Sequence, residues 1–492
     1  MLRRRTCYCV LCATLAAIVY FMMFAGMHTA SAQPPKPVSF INDVAPILKE
    51  NCFACHDAKK KSGKYDMTSF EKLLAGGANG EPVAPGKPDQ SEMHGLIVSK
   101  EQRRMPPRDK GEAVPAPKAA VVAQWIKDGA KLDAGIDPKA DLVKELRVRW
   151  KPPAPPKVYP FPTIVNALAF TPDAKQLVVG GHHELTVWEI ATGKLVKRIY
   201  TRAERAYGMV FLPDGKLAVA GGRPGQEGDV RIFDIVAKGK VEDGVETLDG
   251  VNDPKVMLKQ LLDVEDSVLC IAASADGKLL VAGGCDRAVR IWDLSGGIAA
   301  AKLDQTVENH ADWVLGVAVT ADGKFLVTAG RDKTAKVWDL KLKESVVTFP
   351  EHQQIVYGVT VKADGSTGFS VGADKQLRTW NPKGEGKQVK NAGGHGDDIF
   401  KVVFNPKQPM LATSSADKSV RLWNSDTLAA GKTLAGLNDF VFAVAFSADG
   451  EFVAGGSYDG GVVVWKVADG STVKAFNASP GIVTKEPEPK KK

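Results

Sequence analysis

Apolar and polar positions follow two different rules along this chain. Between Val38 and about Arg149 the apolar residues recur at helical spacing. FINDVAPILKENC puts Val44, Ile47 and Leu48 on one face, and AAVVAQWIKDGA (119–130) aligns Val122, Trp125, Ile126 and Gly129 on one stripe. Gly129 also suits a helix end, and the Gly- and Pro-rich stretch 76–90 reads as loop. KPPAPPKVYPFP (151–162) predicts an extended, stiff linker. From Thr163 the pattern changes to short strand-like runs separated by glycine and aspartate turns. The expected architecture is a small all-α domain over 38–149, a linker over 150–162 and an all-β body over 163–478.

The all-β body is repetitive. FLVTAGRDKTAKVWDL (325–340) recurs as LLVAGGCDRAVRIWDL (279–294), MLATSSADKSVRLWNS (410–425) and FVAGGSYDGGVVVWKV (452–467), with weaker copies elsewhere. The anchoring aromatics are Trp188, Phe233, Trp292, Trp338, Trp380, Trp423 and Trp465, mostly 42 to 46 residues apart. The interval from Phe233 to Trp292 is 59, so Val236–Glu265 holds an insertion. A period of this length with a WD-like end resembles the WD40 family, in which each repeat supplies the four strands of one propeller blade. Seven repeats then imply a seven-bladed propeller.

The resemblance also implies a buried hydrogen-bonded set of His, Ser or Thr, Asp and Trp in each regular blade. Blade four matches with His310, Thr328, Asp332 and Trp338, blade five with His352, Ser370, Asp374 and Trp380, and blade six with His395, Thr413, Asp417 and Trp423. These histidines are therefore expected to be structural rather than catalytic or metal-binding. Blades one, two, three and seven depart from the pattern, blade three carrying Glu265-Asp266 and blade seven Asn438-Asp439 near the histidine position. The first blade begins with an inner strand, VNALAF, and the last ends with an outer strand, STVKAF, so no interlock of the termini is visible. YPFP is disfavoured as a closing strand by its prolines. The end of the chain, 479–492 with KEPEPKKK, is expected to be a disordered tail.

The N-terminus has a basic start, an apolar run from Cys7 to Met27, and Ala30-Ser31-Ala32 before Gln33. It predicts an export signal over 1–32, cleaved, with a retained membrane anchor over residues 7–27 as the alternative, since the run approaches the ~20 residues of a membrane span. Either places the rest of the chain in the periplasm or an equivalent compartment outside the cytoplasm. Net charge is +8, and Arg3, Arg4 and Arg5 account for three of it. The remaining +5 is too mild and dispersed to indicate nucleic-acid binding. Outside the signal only Cys52, Cys55, Cys270 and Cys285 remain, too few for a disulfide scaffold. Cys270 and Cys285 read as packed or turn thiols.

The chemistry lies in NCFACHDAKKK (51–61). Two cysteines two residues apart followed by a histidine admit three readings. Structural zinc needs a second ligand pair, and only His94 is at hand in this domain. A thioredoxin-like dithiol needs a βαβ context that is missing here. Covalent haem attachment needs two thiols for the two vinyl groups and an imidazole that reaches the iron, which C-x-x-C-H provides as Cys52, Cys55 and His56. One covalent haem c is the expected cofactor. Met67, Met93, His94 and Met105 are candidates for the sixth ligand. Met105 is favoured because QRRMPPRDKG would present it from a stiff loop, with Met93 and His94 as alternatives.

Residues 38–135 further resemble the cytochrome c domain abundant in planctomycete bacteria. The resemblance rests on V-x-P-I-L (44–48), C-x-x-C-H, an M-P-P segment and W-I-x-x-G-A (125–130). It implies haem c with His56 and Met105 as axial ligands, and names no substrate. Lys59, Lys60, Lys61 and Lys64 form either a docking collar for an acidic redox partner or a solvated loop.

The expected function is single-electron transfer, since a haem with His and Met ligands has no open site. The propeller would serve as the docking platform for a partner protein or polymer. The alternative is an interaction scaffold with an accessory or sensing haem. Enzyme readings find less support: the nitrite reductases that join haem c to a propeller use eight blades and propeller histidines, and only His182-His183 is spare here. A two-haem peroxidase would need a second C-x-x-C-H, and no Ser-His-Asp arrangement or phosphate loop is readable.

Overall fold

The structure, a computed structural model, describes residues 37–482. The signal or anchor expected over 1–32 lies outside the described residues. Among the described residues no helix is long and apolar enough to cross a membrane. Chain contacts divide the protein into two units between Trp150 and Lys151.

The first unit is helical. A π-helical turn over Phe40–Val44 runs into α1 (Ala45–Asn51), followed by α2 (Phe70–Ala75), α3 (Glu92–Val98), α4 (Ala116–Lys127) and α5 (Leu142–Arg149). The stripe of α4 is buried as its spacing predicts, with Val122, Trp125 and Ile126 almost inaccessible to solvent. Trp125 meets Phe40 at 5.2 Å between ring centroids, and Phe40 meets Phe70 edge-on at 4.8 Å. The helix stops where Gly129 takes a φ of +99°, a conformation that favours glycine. Helix α5 turns Leu142, Val143 and Leu146 towards the same core. Its start is set by Asp141, whose carboxylate accepts from the N–H groups of Val143 and Lys144.

The second unit is a seven-bladed propeller. Six blades are four-stranded antiparallel sheets whose inner strand faces the axis, and blade one is extended to six strands. The extension is the sequence insertion. Lys240–Glu242 and Val245–Asp249 form a hairpin, and its second strand pairs in parallel with Lys194–Tyr200. Asp243 and Gly244 both have positive φ, as a two-residue type I′ turn requires. The insertion ends with Met257–Val264, the outer strand of blade two.

Among the described residues closure uses no shared strand. Blade seven is complete within Val441–Asn477. Blade one meets it through the Val165 N–H donating to the Ser457 carbonyl at 3.1 Å and through Trp188 stacked on Phe476 at 4.8 Å. The approach is close enough to demand glycine at 456, where a Cβ would lie 2.3 Å from Val165.

Two expectations need correction at the ends of the propeller. The tail does not begin at 479: Ser479 is fully buried and its hydroxyl accepts from the Thr163 N–H at 2.8 Å, while residues 483–492 lie outside the described residues. Nor does the proline-rich segment, expected as an extended, stiff linker, stand apart from the propeller. Tyr159 is buried, its N–H donates to the Pro480 carbonyl and its hydroxyl donates to Glu184 at 2.6 Å. Polar groups on blade one hold the segment down, and nothing in its own composition reports them.

Candidate cofactor site

Helix α1 delivers the C-x-x-C-H motif. The Cys52 N–H closes the helix on the Leu48 carbonyl at 2.8 Å. The chain then makes one further turn, in which the Cys52 carbonyl accepts from the N–H groups of both Cys55 and His56 at 3.1 Å. Phe53 points into the core and anchors that turn. The loop beyond it is tied back by Ser62 N–H to Cys55 O at 3.0 Å and Met67 N–H to His56 O at 2.7 Å.

Cys52, Cys55 and His56 share a cavity of about 660 Å³, within the ~300–1,000 Å³ range of cofactor sites. Met67, Met93 and Met105 line it as well, with Tyr65, Leu96 and Ile97 among its other walls. His94 does not line it. Met67 and Met93 are both committed to the buried core of the domain, whereas Met105 is 37% exposed and outside it. The Met105 N–H donates to the Leu96 carbonyl at 3.0 Å, which fastens the M-P-P loop to the end of α3. Lys59, Lys60, Lys61 and Lys64 are all exposed beside the motif.

Tyr65 is a cavity residue that the sequence does not single out. Its hydroxyl donates to the Leu73 carbonyl at 2.8 Å, and its ring stands 5.2 Å from the His56 ring. Burial, and then the neighbouring Cys52, hold its phenol protonated well above the usual range. A tyrosine in a polar loop carries no periodic signal that would have singled it out.

The site chemistry separates the three readings of the motif. Burial, followed by the adjacent Cys55, pushes the Cys52 thiol up to about 12. A redox dithiol needs the opposite shift. Among the described residues no three His, Cys, Asp or Glu side chains group as an ion-binding set, so a tetrahedral zinc site is not assembled. A haem fits the donor set: two thiols, an imidazole and a thioether on the walls of one largely apolar cavity. Among the described residues His56 Nδ1 is buried with no hydrogen-bond partner, a polar atom left unmatched at the cavity wall.

The propeller histidines are engaged elsewhere. His310 lies 2.7 Å from Thr328 Oγ1 and 2.9 Å from Asp332 Oδ2, and Trp338 Nε1–H donates to the same threonine at 3.0 Å. His352 repeats this with Ser370, Asp374 and Trp380 at 2.7, 2.9 and 3.2 Å. His395 repeats it with Thr413, Asp417 and Trp423 at 2.7, 2.8 and 2.8 Å. Since the indole can only donate, the hydroxyl passes its own proton to Nε2, and Nδ1–H donates to the carboxylate. The irregular blades differ. Trp188 donates to Thr186, two residues away, and Trp465 to the Ala435 carbonyl. His182 and His183 occupy the turn between the second and third strands of blade one, with His183 buried and its Nδ1 3.1 Å from the Arg202 carbonyl.

With the geometry in place, the comparisons with known proteins divide along the same boundary. Residues 52–109 match the family described as planctomycete cytochrome C. Residues 258–293, 301–339, 386–424 and 431–466 match the WD domain, G-beta repeat. Small ribosomal subunit protein RACK1y of Oryza sativa subsp. japonica is 35% identical over 74 residues, 15% of this chain and 22% of the relative. Transcription factor unc-37 of Caenorhabditis elegans is 30% identical over 133 residues, 27% of this chain and 18% of the relative. U3 small nucleolar RNA-associated protein 12 of Saccharomyces cerevisiae is 26% identical over 133 residues, 27% of this chain and 12% of the relative. The chain thus spans less than a quarter of the length of these curated relatives.

Proposed function

We propose that this chain, a planctomycete-type cytochrome C segment joined to a seven-bladed WD40 propeller, is an exported carrier of single electrons that holds one haem c. The observation that carries the reading is the convergence of Cys52, Cys55, His56 and Met105 on one cavity. Cys52 and Cys55 would hold the haem covalently, and His56 and Met105 would be its axial ligands. When bound, the group supplies reversible one-electron chemistry at its iron. Met105 is preferred to Met93 because Met93 is spent in the core, and to His94 because His94 stands off the cavity. The apolar walls exclude water and limit the cost of changing charge at the centre.

The basic and apolar start of the chain supports export. The exposed lysines beside the motif suit the approach of an acidic redox partner. The propeller would dock a protein or polymer, since WD40 propellers commonly serve as interaction surfaces. Exposed aromatic residues on it, Trp313, Phe440 and Tyr458, favour that role. They equally support a scaffold whose haem is a sensor, in which case the haem potential would move when the propeller is occupied.

The deciding experiment is a pyridine haemochrome assay with reduced-minus-oxidised spectra, on protein made with c-type maturation machinery and on its Met105→Ala variant. A covalent low-spin haem that becomes high-spin in the variant supports electron transfer through His56/Met105. An unchanged variant removes Met105 from the ligand set, and a protein without covalent haem overturns the reading.

A further inference from the structure

The axis of the propeller carries an anomaly that neither haem nor repeat architecture explains. Each inner strand places one residue at an equivalent position facing the axis, next to a β-bulge in blades two to seven. These residues are Ala167, Gly208, Cys270, Gly316, Gly358, Lys401 and Ala443. Six are small, and at the glycines the neighbouring strand leaves little room. A Cβ on Gly316 would lie 3.2 Å from the Val359 nitrogen, and one on Gly358 3.2 Å from the Lys401 Cα. The seventh is the longest cation the genetic code provides after arginine.

Lys401 faces a cavity of about 160 Å³ on the axis, and among the described residues no carboxylate lines it, Asp398 lying behind the Tyr357 hydroxyl that donates to it. The other polar side chains lining it are Asn166, Tyr207, Cys270 and Tyr357, from four other blades. Among the described residues the Lys401 ammonium has no hydrogen-bond or ion-pair partner. Lys401 is half-buried; desolvation on the axis holds its protonated form down, against the smaller opposing effect of the Cys270 thiol of blade three, across the ring. Burial in turn pushes that thiol up to about 12, so it stays neutral and does not balance the cation. A half-buried ammonium without a counter-charge is destabilising, and the ring position accepts glycine or alanine in every blade but this one and blade three.

We propose that the axial cavity is a binding site for a small oxyanion of the carboxylate or phosphate class, with Lys401 as its counter-charge and Asn166 and Tyr207 as the polar groups beside it, the Tyr357 hydroxyl being already spent on Asp398 at 3.3 Å. The site is independent of the haem pocket and of the electron-transfer reading.

The test is calorimetric titration of the full-length protein with sodium acetate and, separately, inorganic phosphate, together with thermal melts, for wild type, Lys401→Met and Lys401→Gln. Wild type is expected to give a saturable heat with at least one anion and a melting temperature that rises with it. Both variants are expected to bind at least tenfold more weakly, and in anion-free buffer to melt no lower than wild type, because an uncompensated charge has been removed. Preference for acetate over phosphate would assign a carboxylate site, and the reverse a phosphate site. Equal responses in wild type and in a folded variant, or no saturable response to either anion, would overturn the proposal.

Discussion

The Met67 N–H donates to the His56 carbonyl at 2.7 Å, so a fully buried methionine pins the turn that presents the imidazole. Met67 and Met105 both line the same cavity, yet they are placed for different work. Truncating Met67 removes core packing, and Met67→Ala should lower the stability of the helical unit by about 2–4 kcal/mol. Met105→Ala, at a partly exposed site, should cost about 1 kcal/mol or less while altering the haem spin state. Chemical denaturation read beside the absorption spectrum separates the two. A Met67 variant that changes spin state without loss of stability would reverse the assignment.

Thr413 sits at the centre of its network, accepting from Trp423 and donating to His395. Thr413→Val keeps the shape and removes both bonds, leaving the indole N–H and Nε2 buried and unpartnered. Each orphan costs about 1–3 kcal/mol, so a loss of about 2–5 kcal/mol is expected in urea unfolding of the propeller. Thr413→Ser, which restores the hydroxyl, should recover most of it. A valine variant as stable as wild type would mean the network is dispensable.

Acid should weaken the propeller in two stages. Burial, outweighing the bond to Asp417, holds His395 below its usual range. The unfolded chain therefore takes up a proton near pH ~6.5 before the folded one does, and stability falls as pH drops through that region. Asp417 is raised by burial but lowered more by bonds from Ser419, Gly396 and His395, to about 2. Its contribution is complete above pH ~3.9 and is lost as pH falls towards about 2. Asp332 and Asp374 are depressed in the same sense. Calorimetric melting temperatures should decline from pH 7 to 3. In Asp417→Asn the lowest part of that decline should shrink by the equivalent of about 1 kcal/mol, allowing for solvent screening. A melting temperature independent of pH across the range would contradict this.

The parts of this molecule that were legible are those whose chemistry is contiguous or periodic. C-x-x-C-H needs its three side chains within one turn, so five adjacent residues carry the signal. The blades repeat because each must offer a Trp or Phe to the same kind of neighbour, and spacing alone reveals Trp338, Trp380 and Trp423. What was hidden depends on partners distant in sequence. The insertion after Phe233 was visible as extra length, but its pairing with Lys194–Tyr200 was not, since parallel pairing leaves no turn signal. Tyr65 and Leu96 become cavity walls only through the fold. The proline-rich segment looked like a spacer because prolines offer no donors, yet the Pro156 carbonyl accepts from Arg198, 42 residues away.

That contact rests on a buried ion pair whose removal gives the sharpest stability prediction. Glu184 accepts from Arg198 Nε at 2.6 Å and Nη2 at 2.8 Å, and from the Tyr159 hydroxyl at 2.6 Å. The two charged side chains are 7% and 0% exposed. Glu184→Ala leaves a buried guanidinium unpaired, and a loss of about 3–5 kcal/mol is expected. Tyr159→Phe removes the hydroxyl shared between Glu184 and the His182 carbonyl but leaves the pair intact, and should cost about 1–2 kcal/mol. Because Arg198 Nη2 also holds the Pro156 carbonyl at 2.7 Å, the alanine variant should release residues 151–160 before the blades unfold. Limited proteolysis at native temperature would then cut within that segment in Glu184→Ala and spare it in wild type. A replacement of both charges by apolar residues, Glu184→Leu with Arg198→Met, should restore much of the global stability. It should not restore protection of the segment, since no donor for Pro156 remains. If proteolysis instead spares the segment in every variant, its docking is held by Tyr159 and Pro480 alone, and the ion pair serves only blade one.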